Sequence, residues 1–404
     1  METKTDLVKG LFTLFKMAPA ATDGLTNDEL LNELFERLTI PQIIEGFQAR
    51  QRAGSRMPVS RRLGVFPVTD PINMKFFEEQ IGMFWTAVEA DFSKDRLAFR
   101  ALKPREQMAL KMILAIFAFQ DGDVIENLVL RFLIEAPTIE SKLYYLAQAL
   151  VEAIHAHSYS LQIEAITDGE DEMNEMIEAV DKLPCLKMKE ELNAKYKNGR
   201  MPLAERQVAY AAVEGIGFSG LFGALFGFKE RKPFCELNGI FFSNEKIAED
   251  ESLHREQGKT MTRLALEDPQ LHAQLKTVVS EEIKRAAGGL TRERILEILL
   301  EFVVVEEECI RNILPQDLDF LKQADLINYV HYITDKLLED MGLPKHYGVG
   351  NPLTYMNKIG LDSFPNFFEL RVGAYQAVRG RRAKAKKTDV AAKPTTYNLT
   401  SDDF

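Results

Sequence analysis

This chain contains two four-residue motifs of the form Glu-x-x-His. Each motif can present a carboxylate and an imidazole together. They are Glu152-Ala-Ile-His155 and Glu251-Ser-Leu-His254. In an α-helix, residues three apart lie on the same face, with their Cβ atoms about 5–6 Å apart. The carboxylate and the imidazole of each motif can therefore reach the same point. Such pairs are suited to binding metal ions.

An ordinary ion pair on an exposed helix face would produce the same motif, because glutamate is common in this chain. The other four of the six histidines do not stand in this frame: His157, His272, His331 and His346. The repeat alone therefore leaves both interpretations open. Two more carboxylates, each on its own apolar helix, would favour a metal site.

Two such carboxylates are present. Asp121 lies in an apolar stretch that begins at Phe117, and Glu214 lies in Ala211-Ala-Val-Glu-Gly-Ile-Gly-Phe218. Burying an ionised carboxylate without a counter-charge costs several kcal/mol. Four carboxylates and two imidazoles on four helices are the ligand set of di-iron and di-manganese bundles. This oxygen-rich set suits iron or manganese better than zinc.

Tyr159 lies four residues beyond His155, on the same helical face. A tyrosine at this spacing is usually a core residue whose hydroxyl group has a polar neighbour. Beside an oxidised metal pair, it would instead be within reach of one-electron oxidation. Three apolar residues at helical spacing from the candidate carboxylates are consistent with ordinary packing or with the wall of the same cavity: Phe218, Phe222 and Ile247.

The composition predicts an all-α protein. The chain has 404 residues, of which 46% are apolar, and glycine and proline are sparse. Long helices that are apolar on several faces are interior helices, and short connections between them favour one large bundle. We expect helices near 72–90, 103–133, 138–167, 171–181, 203–228, 243–267, 268–287, 291–313 and 317–341.

Charge and cysteine usage restrict the possible partners and compartments. The formal net charge of −11 argues against general affinity for nucleic acid or anionic membranes. No run approaches the roughly 18 apolar residues of a membrane span. The three cysteines show no CxxC spacing and are too few for a disulfide framework, which favours a reducing cytoplasm.

The chain divides into three parts by composition. Residues 1–70 are expected to form a loosely ordered extension, residues 71–370 the helical metal domain, and residues 371–404 a flexible tail. Within the tail, residues 379–393 are strongly basic and typical of a solvated linker. The last residues combine acidic and apolar side chains, as a docking peptide does.

From about Arg61 to Phe404 the chain resembles the small, radical-generating subunit of class I ribonucleotide reductase, a family of ferritin-like di-iron carboxylate proteins. The motifs that carry the resemblance are Phe84-Trp-Thr-Ala-Val-Glu-Ala-Asp-Phe-Ser-Lys-Asp95, Asp121-Gly-x-x-x-Glu-Asn127, Glu152-x-x-His-x-x-x-Tyr159, Val213-Glu-Gly-Ile-Gly-Phe-Ser-Gly220 and Asp250-Glu-x-x-His254.

The resemblance implies roles for individual residues. Tyr159 would carry a stable radical, and Trp85 would connect to His155 through Asp250. Tyr375 would relay the radical between subunits. The metal ligands would be Asp121, Glu152, His155, Glu214, Glu251 and His254. The peptide that docks into the large subunit would be Asn398, Leu399, Thr400, Ser401, Asp402, Asp403 and Phe404.

The implied activity is reduction of ribonucleoside diphosphates by a large subunit that receives the radical. We expect two iron ions per chain, with a manganese pair or a mixed manganese–iron pair equally compatible with the ligands. The resemblance also implies a homodimer and an electron donor for radical assembly. Gly217 departs from the family, since relatives often have an aromatic residue there, and the basic 379–393 run is longer than in many relatives.

Two other functions use the same ligand set. A di-iron oxidase or monooxygenase would need the six ligands but neither Trp85 nor the tail. A ferritin-like iron store would need an acidic entry path and assembly into a cage, and would not maintain a radical.

Overall fold

The structure is a computed structural model that describes residues 65–198 and 201–359. Most of the predicted N-terminal extension and the whole predicted tail lie outside the described residues, as do Tyr375 and the seven residues from Asn398 to Phe404. The division at residues 70 and 370 therefore stays a prediction.

The described residues form an all-α bundle, as the composition predicts, and they contain no β-strand. Twelve helices of six residues or more follow one another: α1 (Pro71–Gly82), α2 (Asp95–Arg100), α3 (Pro104–Asn127), α4 (Ile139–Ile166), α5 (Glu170–Asp181), α6 (Pro184–Asn198), α7 (Leu203–Gly215), α8 (Ser219–Gly227), α9 (Asn238–Ala265), α10 (Thr277–Ala287), α11 (Arg292–Ile313) and α12 (Gln323–Asp340). A π-helical turn over Leu128–Phe132 extends α3.

Several helices differ from the sequence prediction. Helix α2 was not predicted, and the helix expected over 268–287 is divided, so that α10 begins only at Thr277. The helix expected over 72–90 ends at Gly82, and Trp85 then turns inward to a buried partner. Helix α6 was not predicted, because its sequence is rich in lysine and its apolar residues are few. The helix expected over 203–228 is interrupted at residues 216–218, which separates α7 from α8.

Helix α9 begins earlier than the predicted residue 243 because a distant residue caps it. The buried carboxylate of Asp95 accepts hydrogen bonds from the backbone N–H groups of Gly239 and Ile240, at 3.1 and 2.9 Å. A side chain on Gly239 would place its Cβ only 2.7 Å from the Asp91 carbonyl oxygen. Only glycine allows this close approach, so α9 gains an extra turn.

Helices α4 and α9, with 28 residues each, form the centre of the bundle. Helix α3 packs along α4, and α7 packs along α9, while α1 lies across α4. The apolar side chains of all twelve helices meet in one continuous core. Each Glu-x-x-His motif therefore lies near the middle of a long central helix.

One described segment, Leu203–Glu230, is long and apolar enough to cross a membrane by length and composition. Its most apolar stretch is entirely buried inside the protein. The same composition is typical of an interior helix in a large bundle.

Asp70 fixes the start of α1 against the start of α4. Its carboxylate accepts hydrogen bonds from the Asn73 backbone N–H at 3.0 Å and from the Thr138 hydroxyl at 2.9 Å. Thr138 in turn caps α4 by accepting a hydrogen bond from the Ser141 N–H. One buried side chain thus sets the position of both helices.

We expect Asp70→Ala to lower the free energy of unfolding by about 2 kcal/mol, because a helix cap and a buried hydrogen bond are lost together. Burial raises the pKa of Asp70, so the neutral amide of Asp70→Asn should retain most of the stability. Urea unfolding measures the difference. Asp91→Ala, which removes an exposed carboxylate, is the control and should change stability by about 0.5 kcal/mol or less. Equal losses for the two Asp70 variants would contradict the capping role.

Candidate metal centre

Four predicted ligands from three helices converge at the middle of the bundle. Glu152 lies on α4, Glu214 lies in the last turn of α7, and Glu251 and His254 lie on α9. Each contributes one potential ligand atom, and these atoms all lie within 4.8 Å of one another. All four side chains are at most 1% exposed. The cluster is therefore sealed from bulk water.

The two imidazoles contact the same two carboxylates. His155 Nδ1 lies 3.1 Å from Glu152 Oε2 and 3.1 Å from Glu251 Oε1. His254 Nδ1 lies 3.0 Å from Glu152 Oε1 and 3.1 Å from Glu251 Oε2. Helices α4 and α9 thus present their Glu-x-x-His motifs to each other, with both Nδ1 atoms directed into the cluster.

The outer nitrogen of each imidazole has its own partner. His155 Nε2 lies 3.2 Å from Asp250 Oδ2, and His254 Nε2 lies 3.0 Å from Gln80 Oε1. Partners of this kind fix the orientation and the tautomer of a metal-binding histidine. Gln80 was not predicted from the sequence, because a glutamine in a helix gives no signal of its own.

Asp250 connects the cluster to Trp85. The Trp85 indole N–H donates to Asp250 Oδ2 at 2.7 Å, and the Gln80 amide donates to Asp250 Oδ1 at 2.9 Å. Trp85, Asp250 and His155 are all buried. The structure therefore brings the predicted trio into one hydrogen-bonded line, and Gln80 links that line to His254.

Glu214 is held less tightly than the other carboxylates. The Gln148 amide lies 3.4 Å from Glu214 Oε1 and 2.6 Å from the Tyr210 hydroxyl. Glu214 Oε2 is buried and accepts no hydrogen bond from the described residues. Neither Gln148 nor Tyr210 was predicted as part of the site.

Proximity of like charges shifts the pKa values of the cluster. Burial raises the pKa of Glu214 well above its ordinary value, and the charges of Glu251 and Glu152 raise it further. Burial opposes the charged form of His254, yet Glu152 and Glu251 raise its pKa to about 10. Without a metal, protons must therefore supply the positive charge that the carboxylates require.

The donor set fits metal ions. Glu214 Oε2 is buried and accepts no hydrogen bond from the described residues, while Glu152 Oε1 and Glu251 Oε1 contact the imidazole nitrogens of His254 and His155. An unpaired acceptor of this kind is costly unless a cation binds it. With the imidazole nitrogens, these carboxylate oxygens form an oxygen-rich set that suits iron or manganese. Asp121 lies within α3, and its side chain is outside what the structure describes.

Tyr159 is fully buried in a group of aromatic rings. Its ring stacks on Phe117 with centroids 5.2 Å apart. Phe117 also contacts the predicted cavity residues Phe218 and Phe222, at 5.9 and 4.8 Å. Ile247 is buried one turn before Glu251. Phe117 was not predicted, although it precedes Asp121 by four residues, as Ile247 precedes Glu251.

The Gln80 contact generates a prediction. Gln80→Leu should lower the affinity for Mn(II) by about 10- to 100-fold, because His254 loses the partner that orients its ring. Metal titration followed by electron paramagnetic resonance (EPR) measures the affinity. Gln162→Leu is the matched control, since Gln162 is a buried glutamine that contacts Ser158 and Asn244 instead. Unchanged affinity in Gln80→Leu would show that the contact does not support metal binding.

Comparisons with known proteins show the family of this chain. Residues 62–352 match the model of the family "Ribonucleotide reductase, small chain". The ribonucleoside-diphosphate reductase small chain of Nicotiana tabacum is 35% identical over 315 residues, which cover 78% of this chain and 88% of that protein. The small subunit of Plasmodium falciparum is 36% identical over 317 residues, covering 78% of this chain and 92% of that protein.

Solved structures share the fold. The Rnr4 homodimer of Saccharomyces cerevisiae has a TM-score of 0.62 at 23% identity, covering 85% of this chain and 99% of that chain. The dimanganese NrdF of Streptococcus sanguinis has a TM-score of 0.59 at 19% identity, covering 72% and 96%. The bundle is thus the ferritin-like helical fold of these proteins. With a buried carboxylate–histidine cluster at its centre, the chain belongs to the ribonucleotide reductase small-chain family.

Proposed function

We propose that this chain generates a tyrosyl radical on Tyr159 and passes it to a large subunit that reduces ribonucleoside diphosphates to deoxyribonucleotides. The observation that carries the proposal is the buried carboxylate–histidine cluster, with Tyr159 one helical turn beyond His155 in an aromatic pocket. A buried, oxidisable side chain beside a metal-binding cluster is what radical generation requires.

The proposed ligands for two metal ions are Asp121, Glu152, His155, Glu214, Glu251 and His254. The unpaired oxygen of Glu214 and the inward Nδ1 atoms of both histidines support this assignment. Asp121 is assigned from its sequence position alone. A pair of iron ions would supply oxidising power by reaction with molecular oxygen. A manganese pair or a mixed pair fits the same donors.

Tyr159 is suited to hold a radical because of its surroundings. Its ring is fully buried and stacks on Phe117, which also contacts Phe218 and Phe222. These phenylalanine side chains, and Ile247 where it is proposed to line the same cavity, neither donate nor accept protons. They exclude water and reductants, so an oxidised Tyr159 would be protected from quenching.

The line from His155 through Asp250 to Trp85 is the proposed exit for the radical. Its hydrogen bonds of 3.2 and 2.7 Å allow a proton to move with the electron at each step. Asp250 Oδ2 lies between the two, accepting from the Trp85 indole N–H and contacting His155 Nε2. Tyr375, outside the described residues, is the proposed next relay.

The proposed assembly follows from the same family membership. The relatives are small chains of an enzyme, and one solved relative is a homodimer. We propose a homodimer that binds the large subunit through Asn398–Phe404, with a separate electron donor for radical assembly. The three cysteines are buried and unbridged, which supports a reducing cytoplasm.

Tyr159→Phe tests the radical assignment. After loading with iron and oxygen, the variant should bind metal normally but show no sharp tyrosyl signal in EPR, because phenylalanine is far harder to oxidise. Tyr144→Phe is the control, since Tyr144 is a second fully buried tyrosine on the same helix. A wild-type signal in Tyr159→Phe would refute the assignment.

Trp85→Phe separates radical export from radical formation. The substitution removes the indole N–H that donates to Asp250, so the EPR signal should remain while deoxyribonucleotide formation with the large subunit falls at least about 100-fold. Full deoxyribonucleotide formation in this variant would contradict the proposed exit through Trp85. A monooxygenase or oxidase would support no deoxyribonucleotide formation even with Trp85 in place.

A further inference from the structure

The helix that carries Glu214 breaks directly after it. Helix α7 ends at Gly215 and α8 begins at Ser219. The N–H groups of Ile216 and Gly217 both donate to the Ala212 carbonyl, at 2.7 and 2.9 Å. The first N–H groups of α8 therefore need acceptors from outside their own helix. The broken segment is fully buried, so water cannot supply them.

A buried ion pair from two other helices supplies these partners. Glu306 of α11 accepts hydrogen bonds at Oε1 from the Gly220 and Leu221 N–H groups, at 3.0 and 3.2 Å. Lys189 of α6 donates to the Gly217 carbonyl at 2.8 Å and to Glu306 Oε2 at 3.1 Å. The pair, which we call the Lys189–Glu306 clamp, thus holds both sides of the break.

Both clamp residues are nearly inaccessible, with 4% of Lys189 and none of Glu306 exposed. A buried ion pair seldom stabilises a fold more than an apolar pair of the same size, because both charges lose their water. The fold also makes room for the carboxylate. A Cβ at Gly220 would lie 2.9 Å from Glu306 Oε1 and 2.6 Å from Ile310 Cδ1. Stability alone does not account for such an arrangement.

The clamp is connected to two proposed ligands. Gly217, whose carbonyl accepts from Lys189, is three residues after Glu214. The same carbonyl lies 3.3 Å from the Gln120 amide, and Gln120 directly precedes Asp121 on α3. Among the four clustered ligands, Glu214 alone stands at a helix end. Its position therefore depends on how the break is held.

We propose that Lys189 and Glu306 are positioning residues that hold the α7–α8 break and thereby place the Glu214 carboxylate for metal binding. The inference rests on the proposed metal role of Glu214. Neither clamp residue contacts the cluster, and both act through backbone groups on either side of the break.

Two variants of the full-length protein test the clamp. Lys189→Met should retain wild-type helicity by circular dichroism and unfold at a lower temperature, because Glu306 loses its counter-charge. The Gly220 and Leu221 amides should exchange hydrogen at least about tenfold faster, and the affinity for Mn(II) should fall at least about tenfold. The double variant Lys189→Met/Glu306→Leu leaves no charge at the break but also removes the acceptor of the Gly220 and Leu221 N–H groups, so its melting temperature should recover only in part.

The double variant separates positioning from stability. The clamp predicts that amide exchange at Gly220 and Leu221 stays fast and the Mn(II) affinity stays low in the double variant, although part of its stability recovers. Recovery of metal affinity together with stability would overturn the proposal. Arg231→Met is the control, because it breaks the partly buried Arg231–Glu106 pair of 2.9 Å near the start of α3. It should leave Mn(II) affinity and exchange at Gly220 and Leu221 unchanged.

The two proposals fail in different ways. If the wild-type protein binds no Mn(II), the proposed metal function is wrong. Amide exchange then still tests the clamp, and unchanged exchange in Lys189→Met would overturn it. If the wild type binds Mn(II) and Lys189→Met binds it equally well, the clamp is wrong and the metal function stands.

Discussion

The concentration of negative charge at the centre of the bundle is the constraint on which the structure depends. Glu152, Glu214 and Glu251 converge without access to water. Two like charges about 4 Å apart repel by about 4 kcal/mol at an effective dielectric constant of about 20. Such a cluster persists only with compensating positive charge, from protonated imidazoles or from metal ions. The raised pKa of His254, opposed by burial but driven by Glu152 and Glu251, reflects that demand.

The surrounding helices do not add a counter-charge. They fix the positions of the metal-binding side chains instead. Asp250 and Gln80 orient the two imidazoles, and Gln148 approaches Glu214. Helices α4 and α9 are long and continuous, so they hold their own ligands firmly. Glu214 lacks that support, because α7 ends one residue later. A break beside a ligand leaves polar backbone groups to satisfy, and here a buried lysine and glutamate satisfy them.

Helical periodicity in the sequence predicted the fold class and the motifs within single helices. It did not predict residues whose role depends on contacts with distant parts of the chain. The all-α class follows from composition, and the pairing of Glu152 with His155 and of Glu251 with His254 follows from i, i+3 spacing within each helix. That the two motifs meet was expected from the ligand set of di-metal bundles. Gln80 and Phe117 escaped prediction because their importance comes from partners more than forty residues away. The interruption at 216–218 was missed because Ala211–Leu225, apart from Glu214 and Ser219, consists of apolar residues and glycine, and helical periodicity in such a run does not show where hydrogen bonding stops.

His155 lies where two contrasting environments meet. On one side, Tyr159 follows it along α4 into a group of phenylalanine rings. On the other side, its Nε2 contacts Asp250, which accepts from Trp85 and Gln80. Loss of an electron from a neutral tyrosine also requires loss of its proton. The apolar pocket slows the reduction of an oxidised Tyr159. The hydrogen-bonded line from His155 through Asp250 to Trp85 offers a route for both the electron and the proton. Helix α4 thus places Tyr159, which would store the oxidising equivalent, and His155, which would transfer it, in different surroundings.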